Sequence, residues 1–113
     1  CPQGWHEPSL QELQDLINYA GGDHGAASLR SLNLWQNGSQ PTNMTNFSAH
    51  PAGRRTEEGH FNSQLTGAFM GSHSITTENE SRFFSKNLFY DQDYVFTDAD
   101  QNNAGVSCRC IKD

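Results

Sequence analysis

The side chains best equipped for chemistry cluster at the two ends of the chain and in its last third. "GVSCRCIKD", residues 105–113, places Cys108 and Cys110 one residue apart, and the only other cysteine is Cys1. Three thiols allow one intramolecular disulfide, and the thiol left over is a potential nucleophile or soft-metal ligand. In an extended segment Cys108 and Cys110 have α-carbons about 6.6–6.8 Å apart. Their side chains run parallel and the separation reaches the upper limit for a disulfide, so a bridge between them is disfavoured. Whether Cys108 or Cys110 pairs with Cys1 is left open by the spacing.

A second group, "DADQNN", sets Asp98, Asp100 and Asn102 at alternating positions, as a calcium loop begins. It lacks the glycine at the sixth position and the bidentate glutamate at the twelfth, which favours a solvated loop between strands. Asp98 and Asp100 are nevertheless the candidate metal ligands, for calcium, and no other cofactor is expected. The five histidines, His6, His24, His50, His60 and His73, contain no i, i+4 pair and no Cys-His ligand spacing. His60 and His73 fall in loops where they could contact a ligand. No Ser-His-Asp constellation or phosphate-cradling glycine loop accompanies them, so catalysis is not expected.

These residues need a scaffold, and its most secure element is at the start. Ser9 with Glu12 three residues later is a capping box, and Pro8 stands just outside it. Leu10, Leu13, Leu16, Ile17 and Ala20 then recur at helical spacing against a polar face of Gln11, Gln14, Asp15 and Asn18, until Gly21 and Gly22 end the helix. "DHGAASLRSLNLW" allows a further short helical stretch ending near Trp35. From Gln36 to Gln64 turn formers dominate, predicting a long loop region with a short strand at Phe47. Loops of that length are uncommon in compact domains and tend to carry function.

The last third reads as sheet. "TGAFMGSHS", "SRFFSKNLFY", "YVFTDA" and "GVSCRCI" are short segments rich in aromatic or β-branched residues, separated by turn clusters. The Asp91-Gln92-Asp93 turn joins an antiparallel hairpin. In the final strand alternation puts Val106, Cys108 and Cys110 on one face, expected to be the buried one.

Length and charge bound the rest. One domain spanning 1–113 is expected of 113 residues without a compositional break. Seven Lys and Arg against thirteen Asp and Glu give a net charge of -6, leaving no basic stripe to track a phosphate backbone, so nucleic acid is not an expected partner. No apolar run is long enough for a spanning helix. Low charge density and Asn/Ser/Thr-rich loops are in keeping with an extracellular protein.

The motifs "CPQGWHEPSLQELQDLINYAGG", "FSAHPAGRR…GHF", "GAFMGSHS" and "GVSCRCIKD", in this order and spacing, resemble the Fibrobacter succinogenes major paralogous domain family. Met70-Gly71-Ser72 stands where that family has Trp-Ser-Ser, Cys108 where it has Val, and Leu13 where it has a helix Trp. The resemblance implies an α+β, C-type-lectin-like fold, with an N-terminal helix packed on a small twisted antiparallel sheet that presents long polar loops. It also implies a bacterial, exported or surface-attached module, and a further N-terminal stretch with an early strand that this sequence does not include. Cys110 occupies the family's regular cysteine position and Cys1 opens its first block, so the resemblance implies a Cys1–Cys110 disulfide. Cys108 is then expected to behave as a buried, Val-sized residue with an unreactive thiol.

The function implied is extracellular recognition or adhesion, with a glycan or cell-surface protein as partner. The binding face is expected in the loops Thr56 to Gln64, Ser72 to Ser81 and Asp98 to Ala104, near Tyr90 and Tyr94. Within them His60, Asn62, His73, Glu78, Asn79, Asp98, Asp100 and Asn102 are the candidate ligand-binding residues. Polar amides and aromatic rings suit sugar hydroxyls and ring faces or a protein epitope. Calcium-dependent sugar binding of the lectin kind lacks its ligand set here, because Gln40-Pro41-Thr42 has no third-position carboxylate or carboxamide. A structural subunit or stalk domain of a bacterial surface assembly such as a pilus or fibre, with a subunit partner completing the sheet, is the alternative. A formylglycine-generating-like enzyme using a copper-binding Cys108/Cys110 pair ranks last, since only the Cys110 position is regularly cysteine.

Overall fold

The computed structural model describes residues 1–76, 78 and 82–113. Its elements in chain order are β1 (Trp5–His6), α1 (Leu10–Tyr19), α2 (Ala26–Leu29), β2 (Arg54–Arg55), β3 (Phe61–Asn62), β4 (Gly67–Ile75), β5 (Arg82–Phe89), β6 (Phe96–Gln101) and β7 (Ile111–Lys112). This is a small mixed helix-and-sheet fold whose strand pairs within each sheet are antiparallel.

Helix α1 starts as its sequence dictates. The Ser9 side chain accepts from the Glu12 backbone N–H, and the Glu12 carboxylate accepts from the Ser9 backbone N–H, closing the capping box. Leu13 and Ile17 are buried, and with Ala26, Leu29, Ala49, Ala68, Met70, Leu88 and Val95 they form the core. Helix α2 is shorter than the expected stretch to Trp35. Arg30 leaves the helix in an extended conformation and bridges Ala49, so the chain turns from helix to tertiary pairing after Leu29.

The expected strand at Phe47 does not form. Asn46 and Ser48 flank it in left-handed conformations at φ 57° each, which breaks any extended run. Phe47 packs half-buried against the core instead, with the Arg109 guanidinium 4.5 Å over its ring.

The order β4-β5-β6 makes the main sheet, with the β5–β6 hairpin turning through Asp91–Asp93 as its sequence suggests. Strand β4 is buried from Gly67 to Ser72, because it has neighbours on both edges. Beyond β5, its other edge takes parallel bridges from Gly53 to Ala68 and from Ser107 to Met70. Gly71 permits that approach: a Cβ there would lie 2.7 Å from a Val106 methyl carbon.

The final segment departs from its expected form. Only Ile111–Lys112 is a regular strand, pairing with β1, while Gly105 bridges Arg55 of β2, Ser107 bridges Met70 of β4, and the chain then leaves the sheet. Cys108 is consequently exposed, not buried, while Val106 and Cys110, expected on the same face, are half-buried. Local alternation could not register that the strand ends at Ser107. The Cys1–Cys110 disulfide itself is formed, with α-carbons 5.8 Å apart.

Candidate functional site

The site is built where two separate pieces of chain meet along the 101–107 segment. The first is the β2–β3 hairpin. Gly53 enters it at φ +75°, and a Cβ there would fall 2.3 Å from the Asn62 carbonyl oxygen, so only glycine lets the two strands close. The Thr56 N–H donates to the His60 carbonyl at 2.8 Å and closes the tip, leaving Glu57, Glu58 and His60 exposed. Arg55 then ties the hairpin to the 101–107 segment. It exchanges backbone hydrogen bonds with Gly105, both 2.8 Å, and its guanidinium donates to the Asn103 carbonyl at 2.9 Å. The Asn103 carboxamide in turn donates to the Glu57 carbonyl at 3.3 Å.

The second piece is the outer end of β4. His73 is exposed there and its backbone N–H donates to the Pro8 carbonyl, which fixes the main chain at this position against the start of α1. A register shift between Gly71 and Ile75 bends the strand end away from regular pairing with β5. His73 and Asn102 line one cleft of about 460 Å³ together with Glu7, Ile75, Phe83 and Val106. On the other side of residues 105–106, Arg54, Arg55 and the exposed Phe61 line a second hollow of about 310 Å³. The result is a shallow face with an imidazole, a carboxamide and a carboxylate at one end and guanidinium and aromatic groups at the other. Such a surface can accept and donate hydrogen bonds while covering an apolar face of a ligand.

Of the residues expected at this site, His73 on β4 and Asn102 on the connecting segment share a cleft, whereas His60 and Asn62 sit on the hairpin and line neither hollow. His60 has the Glu58 carboxylate 3.9 Å away, with both side chains well exposed. Glu78 is exposed. Asn79 lies outside the described residues.

The two aspartates divide. Asp98 is exposed on β6 and caps the Ala99 N–H next to it. Asp100 is buried at 8 % exposure, with one oxygen accepting from the Ser85 hydroxyl at 2.6 Å and the other 3.4 Å from Arg54. It points into the fold beneath the hairpin, where it steadies Arg54, whose guanidinium also lies 5.0 Å over the Phe69 ring. Asp100 thus acts through Arg54 on the site's shape, with each of its oxygens engaged by one protein partner.

Among the described residues, the one group of three His, Cys, Asp or Glu side chains close enough to hold a metal ion is Cys1, Cys108 and Cys110, whose sulfurs lie within 4.8 Å of one another. Two of these are joined as the disulfide, so the Cys108/Cys110 thiolate pair that copper chemistry would require is not free.

Beside the disulfide, His6 spans the two ends of the chain. Its Nε2 is 2.9 Å from Glu12 and its Nδ1 2.6 Å from Asp113. These carboxylates raise the imidazole's pKa, Glu12 foremost. Glu12 is lowered to about 2, first by the Ser9 backbone N–H and then by His6 and the Ser9 hydroxyl. These contacts give His6 a structural, hydrogen-bonding part at the chain ends.

Sequence reasoning missed two buried cations. Arg30 is fully covered and donates to the carbonyls of Phe89 and Gln92 at 2.8 and 2.6 Å, clamping the β5–β6 turn. Lys86, 3 % exposed, donates to Gln14 and Thr97, and burial lowers its pKa. The only signal for either was a charged residue inside an otherwise apolar stretch.

A small α+β domain with short antiparallel sheets, ends tied by a disulfide and loops gathered on one face is the class these features define. The chain belongs to the Fibrobacter succinogenes major domain family, whose profile matches residues 1–112. No curated protein and no solved structure matches the chain. No helix of the described residues is long and apolar enough to cross a membrane.

Proposed function

We propose that this protein is an extracellular or cell-surface recognition module of C-type-lectin-like type, which holds a glycan or a surface protein on its polar loop face. The observation that carries this reading is the convergence of the hairpin tip, the end of β4 and the 101–107 segment. His73 and Asn102 share one cleft there, and Arg55 and Asn103 lock the hairpin beside it. Hydrogen-bonding groups beside Ile75, Phe83 and Phe61 suit a partner with both hydroxyl or amide edges and an apolar face. The role is one of binding, with no reaction assigned to these side chains.

The test is a glycan array together with a pull-down from intact cell-surface extracts, run with the wild-type chain and with the His73→Ala/Asn102→Ala double variant. Retention of a defined glycan or surface protein by the wild type, weakened about tenfold or more by the double variant, is expected, since each lost hydrogen bond costs about 0.5–1.5 kcal/mol. Equal retention by both chains would remove the cleft from the reading.

A structural subunit role has one observation in its favour. Among the described residues β6 is paired on one edge only, by β5, and Phe96, Thr97 and Asp98 on it are exposed. An open edge of this kind is where a strand from a neighbouring subunit adds. Concentration-dependent polymers of the isolated chain, abolished by proline at Thr97, would favour that role over ligand binding.

A further inference from the structure

Cys108 is exposed and free, yet it is not isolated: its sulfur lies within 4.8 Å of both sulfurs of the Cys1–Cys110 disulfide. We propose that Cys108 is an exchange thiol that moves the terminal disulfide from Cys1–Cys110 to Cys1–Cys108. The Cys108 thiolate attacks the Cys1 sulfur, a Cys1–Cys108 bond forms, the Cys1–Cys110 bond breaks, and Cys110 leaves as the thiolate. One S–S bond replaces another, so no oxidant or reductant is consumed, and the proton given up by Cys108 is taken up by Cys110. Attack on Cys110 is the poorer route, because residues two apart in extended chain stand at the limit of disulfide reach.

The two states differ at both ends of the molecule. Cys110 immediately precedes β7, which pairs with β1, so the present bond ties the two-stranded ribbon directly. Moving the bond to Cys108 inserts two residues between staple and ribbon and slackens that tie without freeing the ends. It also relocates the free thiol. Cys108 borders a hollow walled by Phe47, His50 and Phe69, whereas Cys110 borders the one walled by Pro8, Leu13 and Leu16.

The thiolate is the attacking form, and the surroundings restrain it. Partial desolvation of the sulfur by its neighbours and the Glu7 carboxylate raise the Cys108 pKa, with the Cys1 amino group acting in the opposite sense. Exchange is therefore slow at neutral pH and accelerates by about tenfold per pH unit while the pH stays below the thiol's own pKa.

The experiment has two arms. Cys110→Ser, refolded in a glutathione redox buffer, is expected to form an intramolecular Cys1–Cys108 disulfide and to melt close to the wild type. A folded Cys110→Ser chain that keeps two alkylatable thiols, or forms only intermolecular bonds, would overturn the proposal. The second arm stands even if that variant does not fold. Wild-type protein is held at pH 7 and pH 9, quenched with iodoacetamide and cut with trypsin, which cleaves after Arg109 and separates Cys108 from Cys110. Label accumulating on Cys110, faster at pH 9, is expected; label confined to Cys108 at both pH values would refute the exchange.

Discussion

The helix side of the molecule and its loop side are held together by different forces. On the helix side Leu13, Ile17, Leu29, Leu88 and Val95 are almost fully buried in one cluster, and the hydrophobic effect dominates. On the loop side the hairpin, the β4 end and residues 101–107 bury little apolar surface. Phe61 is 83 % exposed and Ile75 51 %. Backbone hydrogen bonds from Arg55 to Gly105, the Asp100–Arg54–Ser85 group and two close glycine approaches hold that side in place. The contrast teaches that the apolar residues have been spent on one face, leaving the other able to present polar groups without giving up the fold.

Breaking the helix side should cost most. Leu88→Ala is expected to destabilise the protein by about 3–4 kcal/mol, because a fully buried leucine leaves a cavity that the packed neighbours cannot fill. Chemical denaturation checks it, and a loss under 1 kcal/mol would show that this cluster does not carry the fold. On the loop side Asp100→Ala should cost less, about 2–3 kcal/mol, since it strands the Ser85 hydroxyl and the Arg54 guanidinium. Amide exchange should then rise chiefly in Arg54–Asn62. Uniform acceleration across the sheet would mean that Asp100 supports the core and not the hairpin.

The smallest effect concerns the terminal ribbon and depends on pH. His6 has a raised pKa, so its contribution is complete below its ordinary value of 6.5 and is lost as pH rises through the folded value. Glu12, lowered to about 2, contributes fully above its ordinary 4.5 and loses that contribution as pH falls toward 2. The ribbon should therefore be tightest between pH 4.5 and 6.5. Melting curves of wild type and His6→Gln should converge as pH rises from 6 to 9. A constant difference between them across that range would contradict the assignment.

Much of the helix side was legible in the sequence because its determinants are local. The Ser9/Glu12 box, the apolar stripe of α1 and the Asp91–Asp93 turn all act over a few residues. The loop side was legible only as a set of candidate segments. That they meet depends on Gly53 and Ser107 both bridging the same edge of β4, and no local pattern encodes a parallel approach of that kind. The misreading of Cys108 has the same origin: alternation extends a strand indefinitely, whereas the structure ends it once Ser107 has made its last bond to β4. Arg30 escaped notice because its burial is stabilised by carbonyls 59 and 62 residues away.

The claim that the loop side is a recognition surface is tested most directly by hydrogen–deuterium exchange of the wild-type chain with and without a glycan or surface protein that it retains. Protection concentrated in Thr56–Asn62, Ser72–Ile75 and Gln101–Ser107, with α1 and α2 unchanged, is the result predicted. Protection centred on the helices, or along β6 alone, would contradict it.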